Sequence, residues 1–156
     1  MNRGLSIVIP ALNEEENIPV LLKELNELFE NFDYEIILVD DFSDKKLQDT
    51  LDLKNYENVV ISRNTFRQGQ SESILNGINL SNFDTIGLLD GDGQNPPAEL
   101  KKLYDAYLYE GNNEIAVVGK RLKRQDSLSK KIPSYIANFL LRFLTKTKSK
   151  DLGCSL

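Results

Sequence analysis

Short apolar runs rich in β-branched residues recur along this chain, separated by longer stretches of helical periodicity. Leu5-Ser6-Ile7-Val8-Ile9, Glu35-Ile36-Ile37-Leu38-Val39, Val59-Val60-Ile61, Thr85-Ile86-Gly87-Leu88-Leu89 and Ile115-Ala116-Val117-Val118 are mostly apolar throughout, without strict alternation. Strands of that kind are buried on both faces, as in a parallel sheet covered by helices. Between the first two runs, Ile18, Leu21, Leu22, Leu25, Leu28 and Phe29 fall at helical spacing, with Asn13 as the expected N-cap and Glu16 three residues on. Further helices are expected near 45–54, 68–81, 97–110 and 130–145. Such alternation predicts an α/β fold, with right-handed βαβ units wound into one mostly parallel, Rossmann-like sheet flanked by helices. The 156 residues suit a single domain.

Ligands of such sheets bind outside the carboxyl ends of the strands. Here those ends read Pro10-Ala11-Leu12-Asn13-Glu14, Asp40-Asp41-Phe42-Ser43, Asp90-Gly91-Asp92-Gly93-Gln94 and Gly119-Lys120-Arg121. Polar and charged residues therefore gather at one edge. Asp90, Asp92 and Gln94 alternate with glycines, and oxygen-bearing side chains so spaced can converge on a hard cation such as Mg²⁺ or Mn²⁺, which keeps water and substrate phosphate as further ligands. An EF-hand is excluded, because Asn95 and Lys101 stand where that loop needs Gly and Glu. A turn without any ligand explains the same residues. Asp41 could hold a ribose or a base, or Ser43 or Asp44 could simply cap the next helix. Glu14 is a first-turn acid or a site residue.

Composition then removes alternatives. With no histidine there is no Ser-His-Asp triad and no histidine zinc site, and with one cysteine there is no internal disulfide and no multi-cysteine metal site. A reducing, intracellular setting fits that cysteine usage, and the start of the chain lacks the apolar stretch of a signal peptide. Neither Gly-x-Gly-x-x-Gly after the first strand nor a P-loop occurs, so a metal rather than a glycine cradle must hold any phosphates. No segment reaches the roughly 18 apolar residues of a membrane span.

The net charge of −5 conceals a division. Residues 1–118 carry 9 basic and 22 acidic side chains, whereas residues 119–156 carry 10 and 2, so the tail is suited to an anionic partner. Within it, Ile132, Tyr135, Ile136, Phe139, Leu140, Phe143 and Leu144 keep a helical rhythm among lysines. This basic amphipathic segment, 130–148, could lie in a membrane interface or pack on the sheet or on a second subunit.

Taken in order, Ser6 to Ile18, Glu35 to Asp41, Ser62-Arg63-Asn64 before Gly69, Asp90 to Pro97, Gly119-Lys120-Arg121 and Asp151-Leu152-Gly153-Cys154-Ser155 resemble the family 2 glycosyltransferases of the GT-A fold. Within that family the chain looks most like the dolichyl or polyprenyl-phosphate sugar synthases. The resemblance implies that Pro10, Ala11, Asn13, Glu14, Val39 and Asp41, with Asp90, Gly91 and Asp92, bind a nucleotide-sugar. It implies that Asp90, Asp92 and Gln94 hold Mg²⁺ or Mn²⁺, and that Asp92, Arg121 and Asp151 act at the reacting centre. Phe42 departs from the Gly usual after the paired acids, and Gly91 and Gly93 from the more usual Ala and Leu. Relatives continue beyond the Gly-Cys-Ser turn, so the chain is expected to be the N-terminal part of a longer catalytic domain.

The implied reaction is an inverting transfer of a sugar from a UDP- or GDP-linked donor to a polyprenyl phosphate. Such an acceptor is already anionic at neutral pH and needs no strong base, in agreement with a chain that lacks histidine. A glycan or cell-envelope acceptor, a nucleotidyltransferase and a non-catalytic nucleotide-binding fragment are the competing readings. The expected place is the cytoplasmic face of a membrane, peripheral or anchored, with no nucleic-acid partner and with self-association left open.

Overall fold

The computed structural model describes residues 4–110 and 116–119. By its internal contacts the chain divides into one unit over Met1–Val117 and another over Val118–Ser155, and every described helix and strand belongs to the first. Four strands, β1 (Leu5–Ala11), β2 (Tyr34–Asp40), β3 (Val59–Arg63) and β4 (Thr85–Leu88), form one sheet in the order β3-β2-β1-β4. Every neighbouring pair is parallel, with Ile7 opposite Ile36 and Gly87, and Leu38 opposite Ile61. The helices are α1 (Ile18–Phe29), the single turn α2 (Leu47–Thr50), α3 (Gln70–Asn79) and α4 (Pro97–Glu110). The chain runs β1, β2, β3 in one direction and then returns through α3 to place β4 on the other side of β1. The strand order reverses there, so the crevice between the exits of β1 and β4 is the topological switch point.

Side-chain alternation sorts the core into two layers. Leu5, Ile7, Ile9, Ile36 and Leu38 pack with Ile18, Leu21, Leu22, Leu25 and Phe29 of α1 and with Leu100 and Tyr104 of α4. Val8, Ile37 and Val39 face the other way, with Ile86 and Leu88 against them. On that face α3 approaches so closely that a Cβ at Gly77 would stand 2.4 Å from Val8 Cγ1 and 3.2 Å from Val39 Cγ2. Gly77→Ala is therefore expected to cost about 1–3 kcal/mol through overpacking against two stiff β-branched side chains. Urea denaturation measures this, and an unchanged midpoint would mean that α3 shifts freely.

Four expectations about local structure change. Asn13 does not cap α1, whose N-cap position is Asn17 without a side-chain cap bond. Instead Asn13 Oδ1 accepts from the Asp44 N–H at 2.8 Å and its Nδ2 donates to Asp44 Oδ2, a tertiary bracket that competes with local capping. The helix expected near 45–54 is only α2 followed by a 3-10 turn, Leu53–Asn55, because Leu51 is extended and the Asp52 carboxylate takes the Lys54 N–H. Neither Ser43 nor Asp44 caps α2, whose N-cap is Lys46. Of the fifth strand expected over 115–118, the described Ala116 and Val117 carry no strand pairing, since β4 pairs only with β1 among the described residues. The amphipathic segment 130–148 lies outside the described residues.

At the amino edge of the sheet a buried carboxylate ties β1, β2 and the β4 entry together. Glu35 Oε1 accepts from Ser6 Oγ at 2.6 Å, and both Glu35 oxygens accept from Asn82, through its N–H at 2.6 Å and its Nδ2 at 2.7 Å. Burial alone would raise the Glu35 carboxyl, but these bonds outweigh it and hold the pKa below its ordinary value. A depressed folded pKa stabilises above the unfolded value and loses that contribution as pH falls through the folded one. Asp40 and Asp41 are depressed for the same kind of reason. Stability is therefore expected to be flat near neutrality and to fall below about pH 4, the unfolded carboxylate range. Denaturation of Glu35→Gln across that window should show a shallower acid slope, and an identical slope would remove Glu35 from the account.

Candidate functional site

At the switch point the exits of β1, β2 and β4 and the start of α3 enclose a cavity of about 410 Å³. Pro10, Ala11, Leu12 and Glu14 come from the first strand's exit, Asp41 from the second, Asp90, Gly91 and Asp92 from the fourth, and Gly69, Gln70 and Ser73 from the α3 entry. The β1 and β4 exits run close together, since a Cβ at Gly91 would lie 3.0 Å from the Pro10 carbonyl oxygen. An Ala at this position would press on that carbonyl unless the turn yields by a few tenths of an ångström.

Each of the paired acids at the exit of β2 is bound within the protein. Asp40, 1% exposed, takes the Ser43 N–H on Oδ1 at 2.8 Å and the Leu47 N–H and Arg63 Nη1 on Oδ2. Arg63 also donates from Nη2 to the Ser43 carbonyl at 2.8 Å and lies 4.9 Å from the centre of the Phe42 ring. Phe42 itself has φ 63, the left-handed region in which glycine is the easier residue. The Gly expected there by resemblance is thus matched in backbone conformation, and the ring gains a cation–π contact.

Asp41, 5% exposed, anchors the loop that forms the opposite wall. Its Oδ1 accepts from Asn64 Nδ2 and the Gln68 N–H, both at 2.8 Å, and its Oδ2 from the Gly69 N–H at 2.9 Å. Asn64 Nδ2 reaches Ser73 Oγ as well, and Ser73 Oγ donates to the Gly69 carbonyl, each at 3.0 Å. Gly69 has φ 87 and ψ 166, a conformation essentially confined to glycine. Burial by itself would raise the Asp41 carboxyl, but donation from Gln68, Asn64 and Gly69 holds its pKa below the ordinary value.

Asp90 Oδ1 accepts from Gln70 Nε2 at 2.8 Å and Oδ2 from Asn95 Nδ2 at 3.0 Å, while Asp92 Oδ1 accepts from the Gln94 N–H at 2.9 Å. Among the described residues no group of three or more His, Cys, Asp or Glu side chains could enclose a metal ion. Two carboxylates beside an open cavity instead suit Mg²⁺ or Mn²⁺, which takes one or two carboxylates and completes its shell with water and phosphate. The hard oxygen donors fit such a cation.

The structure thus brings Pro10, Ala11, Glu14, Asp41, Asp90, Gly91 and Asp92 to one cavity. Asn13, Val39 and Gln94 do not line it: Asn13 brackets the Asp44 loop, Val39 is fully buried in the second core layer, and Gln94 meets Asp92 through its backbone. Arg121 and Asp151 lie outside the described residues. Gln70 and Ser73 line the cavity although no motif marks them, while Leu12 and Gly69, which stand in the matching runs without an assigned role, line it too. Among the described residues no helix is long and apolar enough to cross a membrane.

The family model "Glycosyl transferase family 2" matches residues 6–155. A protein of Photorhabdus laumondii named undecaprenyl-phosphate 4-deoxy-4-formamido-L-arabinose transferase is 38% identical over 160 residues, covering 99% of this chain and 48% of its own length. The protein of the same name from Pectobacterium atrosepticum is 35% identical over 162 residues, with the same coverage. The chain therefore spans about half the length of these curated relatives. Among solved structures, Staphylococcus aureus TarS 1–349 in complex with UDP matches with a TM-score of 0.52 at 21% identity, over 69% of this chain and 33% of that one. The mannosyltransferase PcManGT from Pyrobaculum calidifontis, in complex with GDP-Man and Mn²⁺, matches with a TM-score of 0.52 at 15% identity, over 59% and 28%. At these identities the two structures support the shared fold.

Proposed function

The chain belongs to glycosyl transferase family 2, and from that premise we propose that it forms the donor-binding part of an enzyme transferring a sugar from a nucleotide-sugar to a polyprenyl phosphate. The observation that carries the proposal is the convergence of Pro10, Ala11, Leu12 and Asp41 with Asp90 and Asp92 on one cavity at the switch point. Pro10, Ala11 and Leu12 offer an apolar floor for a nucleobase, and Asp41 and Glu14 offer acceptors for base or ribose. Asp90 and Asp92 would hold Mg²⁺ or Mn²⁺, with the Gln94 backbone N–H steadying Asp92, and the cation when bound neutralises the charge on a departing nucleoside diphosphate. The GDP-Man and Mn²⁺ in the complex of PcManGT support that pairing of donor and cation.

The lipid-phosphate acceptor is supported by the relatives named undecaprenyl-phosphate 4-deoxy-4-formamido-L-arabinose transferase. A phosphate acceptor carries its own negative charge, so the chain need not supply a strong base; Asp151 would orient the acceptor and Arg121 would meet a phosphate. The basic segment 130–148 would meet an anionic membrane surface at the cytoplasmic face, where a lipid acceptor is presented. Self-association through the same segment is the alternative use of that surface.

Titration with UDP and GDP, with and without Mn²⁺, tests the reading. Tight binding of one of them that requires Mn²⁺ is the expected result. Metal-independent binding, or turnover of a nucleoside triphosphate, would replace a glycosyl donor site with a non-catalytic or nucleotidyltransferase one.

A further inference from the structure

We propose that Gln70 is a positioning residue for the carboxylate of Asp90, a role that rests on the nucleotide and metal reading of the cavity. Gln70 is the first residue of α3 and lines the cavity beside Asp90. Its Nε2 donates to Asp90 Oδ1 at 2.8 Å, while Asn95 Nδ2 holds Oδ2 at 3.0 Å. The carboxylate is thus gripped on both oxygens by neutral amides, one from the opposite wall and one from its own turn. A neutral donor fixes the plane of the carboxylate without cancelling its charge, as a lysine or arginine in that place would. These two bonds order the Asp90 carboxylate before a cation arrives.

The placement of Gln70 is itself built. Asp41 Oδ2 takes the Gly69 N–H at 2.9 Å, and Gly69, at φ 87, turns the chain directly into α3. The second strand's acid thereby sets where the α3 entry stands and how its amide meets the fourth strand's acid. Gln70 is exposed, so its truncation removes the contact without opening the core.

The test compares Gln70→Ala with the unsubstituted protein in titrations of UDP and GDP, in Mn²⁺ and in EDTA, with free Mn²⁺ followed by electron paramagnetic resonance. Loss of a group that orients a metal ligand costs about 10–100-fold in metal affinity. Gln70→Ala is accordingly expected to weaken Mn²⁺ uptake in the presence of nucleotide at least about 10-fold, with the melting temperature unchanged and a clearly smaller loss of nucleotide affinity in EDTA. Wild-type Mn²⁺ affinity in Gln70→Ala would overturn the proposal. So would an equal loss in EDTA, which would make Gln70 a direct nucleotide contact. If the unsubstituted protein binds neither nucleotide with Mn²⁺, the donor-site reading itself falls and the role of Gln70 falls with it.

Discussion

Asp92→Asn is expected to lower Mn²⁺-dependent nucleotide binding by more than about 100-fold, because removing a ligand should cost more than the 10–100-fold loss that follows from disturbing its supports. The substitution keeps the size and shape of the side chain and removes one negative charge. An Asn Oδ1 can still accept the Gln94 N–H that Asp92 Oδ1 takes at 2.9 Å, and Asp92 is exposed in its loop. Folding stability should therefore stay within about 0.5 kcal/mol of the original, as for most surface changes. Calorimetric titration with Mn²⁺ and the preferred nucleotide reads the first quantity, and urea denaturation the second. Binding close to the original level in Asp92→Asn would mean that the loop after β4 is a turn and not a metal site.

Asp41→Ala should show the reverse balance, with a large loss of stability preceding any effect on ligand. Truncation leaves Asn64 Nδ2 and the N–H groups of Gln68 and Gly69 without the acceptor they share. A buried donor deprived of its partner costs about 1–3 kcal/mol, and the water admitted by the open cavity rehydrates part of this set, so a total on the order of 3 kcal/mol is expected. The segment 64–69 loses its anchor at the same time, and with it the wall formed by Gly69, Gln70 and Ser73. Binding of nucleotide should weaken in EDTA as well as in Mn²⁺, which separates this variant from Asp92→Asn. A stability loss under about 1 kcal/mol would show that the loop holds its shape through Asn64 and Ser73 alone.

These two acids look alike in the sequence, each standing at the exit of an apolar strand. Their environments divide them: Asp41 is buried with both oxygens occupied by the protein, whereas Asp92 is exposed at the cavity's edge. The motif match makes both of them ligands of a nucleotide-sugar. Burial makes the first a structural anchor whatever else it contacts, and exposure leaves the second available to a ligand. Asn13 carries the same lesson, because its spacing to Glu16 suits a capping box while its side chain is spent on Asp44. Two residues 31 apart that satisfy each other outcompete a local cap.

The sequence by itself determined the layered α/β fold, the strands from β1 to β4, and the edge of the sheet on which to look. Apolar runs and helical periodicity are local records of burial, and chain order with right-handed crossovers leaves few topologies open. It also marked Asp90 and Asp92 as candidates, since alternating acids and glycines after a buried strand suit a hard cation as well as a plain turn. Only the tertiary structure decided which strand exits meet. The order β3-β2-β1-β4 puts the switch point between β1 and β4, so that Pro10 and Gly91 approach and Gln70 reaches Asp90. Those contacts join residues 20 to 81 positions apart along the chain. No local pattern encodes such pairings, because they follow from how the packed layers bring distant segments together.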